Sequence, residues 1–106
     1  MANRADYTRK ILTEWRDASE RLTFHMSGVA AEDYPAVCRS VVDEFGLTQA
    51  APLVVGLDQM IWDFRTGEHV VGLDWDIWQE FMIVARVKES EPLVRDIAAW
   101  LRQANS

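Results

Sequence analysis

The stretch Met60-Ile-Trp-Asp-Phe-Arg-Thr-Gly-Glu-His-Val-Val-Gly-Leu-Asp-Trp75 decides the fold class of this 106-residue chain. Apolar side chains alternate with other residues on both sides of Thr66-Gly67, and a period of two is typical of a half-buried β-strand. Two such runs joined by a glycine-containing turn predict a β-hairpin. Residues 81–87 are apolar on both faces apart from Arg86, which is typical of a central strand. The short apolar run 53–57 is either an edge strand or an extended lead-in.

Helical periods flank this sheet region on both sides. Residues 4–26 carry apolar side chains at spacings of three and four, which predicts a long amphipathic first helix. Its apolar stripe consists of Tyr7, Ile11, Trp15, Ala18 and Leu22. Residues 34–45 repeat this period and end at Gly46, a typical helix stop, and a last helix is expected from Ser90, a capping residue. We therefore predict an α+β fold with two N-terminal helices, a three- or four-stranded antiparallel meander and a C-terminal helix (αα-βββ-α).

Length and charge limit the classes of protein. A chain of 106 residues has room for one domain, residues 1–106. Its 11 Lys+Arg against 17 Asp+Glu give a net charge of −6, which argues against a nucleic-acid partner because that affinity comes from clustered cations. The sequence shows no signal peptide and no apolar run of the ~18 residues that a membrane helix needs, so we expect no membrane partner and a cytoplasmic location.

Motifs for catalysis, metals and cofactors are missing from the sequence. His25, His69 and the single cysteine, Cys38, are far apart, whereas zinc sites use ligands with short paired spacings. The acidic run 74–80 lacks the glycine and the bidentate glutamate of a calcium loop. Cys38 falls on the apolar stripe of the second predicted helix, which favours a buried thiol over a nucleophile. We expect no catalytic residue, metal or cofactor, and the sequence favours a non-enzymatic function.

Negative charge and tryptophan coincide in residues 58–80. This segment holds six carboxylates and one cation, Arg65, and so carries −5 of the net charge. Trp78 and Ile77 lie in a predicted connection, where an apolar pair is costly to expose. Exposed tryptophan ringed by acids is typical of a protein-binding hot spot, and the alternative is that the pair folds back over the end of the sheet. The predicted protein-binding residues are Asp74, Trp75, Asp76, Ile77, Trp78 and Glu80.

The second half of the chain carries a family resemblance. Its motifs are Phe45-Gly-Leu47, Pro52, Gly56-Leu-Asp58, the Trp62 strand, Gly67, Val71-Gly-Leu-Asp74 and Trp100-Leu-Arg-Gln-Ala-Asn105. With these, residues 45–105 resemble the type III secretion chaperone-like families, which include small acidic bacterial chaperones and sensory-transduction-regulator-like proteins. The resemblance implies a non-enzymatic homodimer that binds another polypeptide. It transfers no site residues and does not cover the two N-terminal helices.

Two hypotheses about function follow from these observations. The first is an acidic protein-interaction domain, such as an immunity- or antitoxin-like inhibitor or a chaperone, that places the hairpin of residues 58–80 against a basic surface of another protein. The second is a small-ligand-binding protein or small enzyme with a pocket between the sheet and the first helix, lined by Trp62, Trp75 or Trp78, with His69 or an aspartate as the polar group. Homodimerisation through an exposed strand or the first helix is compatible with both.

Overall fold

One antiparallel sheet of eight short strands carries the two helices of the described chain. The computed structural model describes residues 12–104. The strands are β1 (Leu12–Arg16), β2 (Leu22–Met26), β3 (Thr48–Gln49), β4 (Val54–Val55), β5 (Gln59–Ile61), β6 (Asp63–Thr66), β7 (His69–Asp76) and β8 (Glu80–Ala85). The helices are α1 (Tyr34–Phe45) and α2 (Glu91–Ala104), and each follows a short 3-10 turn.

The longest strands, β7 and β8, lie at the centre of the sheet. The strand order is β1-β2-β8-β7-β5-β4, with β6 also paired to β7 and β3 paired to β6. Strands β5 and β6 keep the same register against β7, since Met60 pairs with Trp75 and Asp63 with Gly72. They therefore act as one strand interrupted at Trp62. The hairpin predicted around Thr66-Gly67 and the central strand after it are confirmed. Of the two alternatives for residues 53–57, the structure shows the edge strand, limited to Val54–Val55.

Both helices pack on the same face of the sheet. Alternate residues of the central strands point to this face, as the period of two requires, and one continuous core forms between sheet and helices. Its members with almost no exposure include Leu22, Met26, Tyr34, Val41, Val71, Leu73, Phe81, Ile83, Val94 and Ile97. The rings of Phe45 and Trp100 meet edge to face across the two helices, with centroids 6.0 Å apart. Within residues 12–104, neither helix covers the opposite face, which we call the open face.

The helices after residue 30 agree with the sequence pattern. Helix α1 has Pro35 in its first turn, and Gly46 follows it in the left-handed conformation at φ 63°. That conformation favours glycine, which explains why the helix ends there. Helix α2 begins directly after Ser90, as predicted. No helix in the described part of the chain is long and apolar enough to cross a membrane.

The predicted helix over residues 4–26 is wrong from residue 12 onwards, and with it the order αα-βββ-α and the count of three or four strands. Strands β1 and β2 form an antiparallel hairpin here. Its turn is fixed by Asp17, whose Oδ1 accepts the N–H groups of Ser19 at 2.8 Å and Arg21 at 2.9 Å. Trp15 and Leu22, which would share a helix face, lie on opposite faces of the sheet. Residues 4–11 of the predicted helix lie outside the described residues.

Candidate functional site

Exposed apolar side chains gather at one end of the sheet. Among residues 12–104, every large hydrophobic residue classed as exposed lies in two segments, 53–57 and 77–78, apart from Val87. The N–H of Ile77 donates to the carbonyl of Asp58 at 3.2 Å, which joins the two segments. We call this surface the apolar tip. It consists of Leu53, Val54, Val55, Leu57, Ile77 and Trp78.

The loop that carries Trp78 has a fixed backbone. The Oδ1 atom of Asp76 accepts the N–H groups of Trp78 at 2.9 Å and of Gln79 at 2.6 Å. Glu80 follows the loop in the left-handed conformation, at φ 63°. Its carboxylate accepts the N–H of Val29 at 3.0 Å and also that of Gly28, which holds the loop against the chain before α1.

This loop presents its apolar pair to solvent. Ile77 is 49% exposed and Trp78 is 75% exposed, so the alternative in which the pair folds back over the end of the sheet does not describe the structure. A large apolar side chain held out by an ordered loop loses little further conformational freedom on binding. The geometry of Trp78 is therefore that of a preorganised anchor.

The other predicted site residues have structural contacts. Asp74 is 7% exposed and lies on the open face. Trp75 lies on the opposite face, half-buried, and its Nε1–H donates to the carbonyl of Val29 at 2.8 Å. Asp76 and Glu80 bind backbone amides as described above. Of the six predicted residues, Ile77 and Trp78 are the two whose side chains are exposed.

The open face holds a network built around Arg86. Its Nη2 donates to both carboxylate oxygens of Asp74, at 2.9 and 2.7 Å, and its Nε donates to Asp63 at 2.9 Å. Asp74 also accepts the N–H of Trp62 at 3.3 Å. Burial raises the pKa of Asp74 above its ordinary value of 3.8, and the charge of Arg86 opposes this shift. Two of the six carboxylates of residues 58–80, those of Asp63 and Asp74, are therefore paired with Arg86 within the fold.

Gly72 makes room for this guanidinium. A Cβ at position 72 would lie 2.3 Å from both Cζ and Nη2 of Arg86. Glycine lets the long side chain of Arg86 cross the β7 backbone and reach Asp63 and Asp74 together. A glycine in the middle of a buried strand weakens the strand. Its presence at position 72 is explained by the space that the guanidinium of Arg86 needs.

The negative charge that remains free near the apolar tip is local. Asp58 is exposed beside Leu57, whereas Glu68 lies in the turn at the far end of β7. Residues 40–64 and 66–85, which supply the tip and its surroundings, contain no lysine or arginine. The tip is therefore an apolar surface with an anionic border.

Leu57, Val54 and Val55 belong to this surface but were not among the predicted site residues. Leu57 is 98% exposed and Val55 is 67% exposed. The signal was present in the apolar run 53–57, which the sequence pattern leaves open as an edge strand or an extended lead-in and does not show to be exposed. Strand β4 has only two residues, so most of this run has no neighbour to bury it.

A second concavity lies between α1 and the edge formed by β3 and β6. It has a volume of about 270 Å³, just below the ~300–1,000 Å³ of small-molecule sites. Its lining consists of Pro35, Cys38, Arg39, Val42, Gln49, Trp62 and Phe64. The lining offers no carboxylate or imidazole for acid–base chemistry, and burial raises the pKa of Cys38 to about 12. No group of three His, Cys, Asp or Glu side chains among residues 12–104 is placed to hold a metal ion.

No protein-family model matches the chain, and no curated protein or solved structure is significantly similar to it. The resemblance of residues 45–105 to chaperone-like families therefore stays a prediction. The apolar tip is the surface where exposed large hydrophobic side chains are concentrated in the described chain.

Proposed function

We propose that this protein is a non-enzymatic interaction domain, an inhibitor or chaperone, that binds a basic surface of another protein through the apolar tip. The observation that carries the proposal is Trp78, which is 75% exposed on a loop whose backbone N–H groups donate to the carboxylate of Asp76. Folding gains nothing from holding a tryptophan in water. A partner that covers it accounts for both its exposure and its ordered backbone.

The energy available from this anchor is large enough to matter. A tryptophan buries on the order of 150–250 Å² in an interface. Covering the 75% of Trp78 that is exposed therefore contributes about 3–5 kcal/mol before the entropic cost of association. Leu57 and Ile77 beside it extend the apolar area. An apolar centre of this kind supplies affinity, while charges around it select the partner.

The charges around the apolar tip favour a partner whose surface is positively charged. Asp58 borders the tip, and the adjoining segments 40–64 and 66–85 contain no cation. A partner with an apolar centre and a border of lysine or arginine is therefore attracted, and an acidic one is repelled. The concavity between α1 and the edge formed by β3 and β6 is small and has no acid–base pair. We therefore favour this function over ligand binding or catalysis.

The test compares substitutions inside the tip with matched substitutions outside it. Partners are captured from the native source with the parent chain, Trp78→Ser and Val87→Ser, where Val87 is an exposed apolar residue away from the tip. A second pair, Asp58→Lys and Glu68→Lys, makes the same charge change at opposite ends of β7. We expect Trp78→Ser and Asp58→Lys to lose the partner and the two controls to retain it.

Thermal unfolding of all four variants shows whether each is folded. A partner that is bound equally by folded Trp78→Ser and by the parent chain contradicts the proposal. Equal loss of binding in Asp58→Lys and Glu68→Lys contradicts the local role of charge.

A further inference from the structure

Within residues 12–104, the outer edge of β4 has unpaired backbone groups. Gly56 donates its N–H to the carbonyl of Gln59 at 2.7 Å and closes the β4–β5 hairpin. Hydrogen-bonded and non-hydrogen-bonded pairs alternate along an antiparallel ladder, so Val54 also directs its backbone groups towards β5. The N–H and carbonyl groups of Leu53 and Val55 consequently point outwards. Among the described strands, β4 is the last on this side of the sheet.

Apart from its short length, this edge lacks, within residues 12–104, the usual protection against pairing with another chain. Proteins blunt edge strands with lysine, inward-pointing charges or a covering element. Here the edge carries Val54 and Val55, which are exposed. The strand has only two residues, which keeps the available edge short.

We infer that the partner contributes an extended basic segment that pairs with the outer edge of residues 53–55 as an added β-strand. The inference rests on the proposed function and names how the partner binds at that same surface. Backbone groups of Leu53 and Val55 supply the hydrogen bonds, which is the mode called β-augmentation. Alternate side chains of the added strand lie beside Val54 and Val55, and its cations reach Asp58.

A second copy of this chain is a poorer occupant of the edge. Edge-to-edge pairing of two copies brings two tips together, each bordered by Asp58 and without a cation in residues 40–64. Each chain also has a net charge of −6, so the approach is opposed by like charge. Charge complementarity therefore selects a different, cationic chain.

The test follows amide hydrogen exchange in the ¹⁵N-labelled full chain. The probe is an eight-residue peptide of alternating valine and arginine, and its control is a peptide of alternating valine and glutamate. We expect the valine–arginine peptide to slow exchange of the Leu53 and Val55 amides by about tenfold or more, with little change at Val54, whose amide is already paired. The valine–glutamate peptide is expected to leave all three unchanged.

Substitution at the edge gives an independent measurement by fluorescence anisotropy of the labelled valine–arginine peptide. Val55→Pro removes an outward donor and is expected to weaken binding about tenfold, the effect of one lost hydrogen bond and a poorer fit. Val55→Thr keeps the N–H and the branched shape, and so serves as the matched control. Equal weakening by both variants contradicts a role for the backbone.

The remaining outcomes separate this inference from the proposed function. If the valine–arginine peptide changes the signals of Trp78 but does not slow exchange at Leu53 and Val55, the added strand is refuted and the proposed function stands. If it does not bind, or the valine–glutamate peptide binds as well, the added basic strand is refuted, and the proposed function is decided separately by the capture experiment with Trp78→Ser and Asp58→Lys. If the two amides become protected in the free protein as its concentration rises, a second copy is the occupant and the inference is wrong.

Discussion

Replacing Gly72 with alanine tests directly whether this glycine makes room for the ion pairs of Arg86 on the open face. The added Cβ would lie 2.3 Å from Cζ of Arg86, a separation that atoms not bonded to each other do not adopt. The guanidinium is the end of a flexible side chain, so it moves while the β7 backbone stays. The movement separates Arg86 from Asp74 and Asp63.

The cost follows from what is left behind. Asp74 has a side chain 10% exposed and becomes a buried charge without its partner, a loss of about 3–5 kcal/mol when such a pair is broken. Asp63, at 31% exposed, regains water and contributes less. Alanine in place of glycine within a strand recovers roughly 0.5–1 kcal/mol. We expect the free energy of unfolding to fall by about 2–4 kcal/mol, although alanine is the better strand residue.

A double-mutant cycle separates this mechanism from a simple clash. Urea denaturation of the parent, Gly72→Ala, Arg86→Ala and the double variant gives the coupling energy between the two positions. With Arg86 already removed, we expect Gly72→Ala to cost nothing further. The same loss of stability in both backgrounds would refute the reasoning, since the clash would then be with the backbone or another neighbour.

The pH dependence gives a second measurement on the same variants. Burial raises the pKa of Asp74, and Arg86 opposes the shift, so displacing Arg86 raises this pKa further. A carboxyl whose folded pKa is raised binds its proton more tightly in the folded state; that stabilisation is present at low pH and is lost as the pH rises through the folded pKa. The cost of Gly72→Ala should therefore shrink as the pH is lowered from neutral into the acidic range in which Asp74 takes up its proton. A cost that is constant over this range contradicts the role of Asp74.

Three further predictions concern single side chains. Trp78→Ser should change the free energy of unfolding by no more than about 0.5 kcal/mol in thermal or urea denaturation, because the side chain contributes to the surface and not to the core; a large loss would show a structural role. Tyr34→Phe removes the hydroxyl that donates to the carbonyl of Leu73 and should cost about 1–2 kcal/mol by the same assay, whereas an unchanged stability would show that water or the amide of Trp62 replaces it. Burial raises the pKa of Cys38 to about 12, so a thiol reagent at about pH 8 should label it only as fast as the chain unfolds; rapid labelling of the native protein would contradict its burial.

The sequence predicted correctly those segments whose apolar residues fit either the helical period or the strand period but not both. In α1 the apolar stripe ends at Gly46, and around Thr66-Gly67 the alternation has no helical counterpart. Residues 12–26 fit two periods, because Trp15 and Leu22 satisfy a helix while Leu22, Phe24 and Met26 satisfy a strand.

Tertiary pairing decides between these two periods. Strand β2 lies against β8, with Phe24 opposite Ile83, and the core face of this pair buries Phe24, Met26 and Phe81. The partner strand is some sixty residues away in the chain, so local propensity carries no record of it. The helix prediction failed for this reason, and not because its apolar stripe was misread.

The same distinction between local pattern and partner governs the site. A sequence shows how many carboxylates residues 58–80 contain but not what each one binds. Reversing the charges of Asp74, Asp76 and Glu80 would remove the ion pair to Arg86 and the contacts that fix the 77–79 loop, so lost binding would report lost folding. Within the described chain, the side chains of Asp58 and Trp78 take no part in that ion pair or in those loop contacts. Because their substitution leaves the core and the loop contacts intact, they are the positions at which binding can be tested separately from stability.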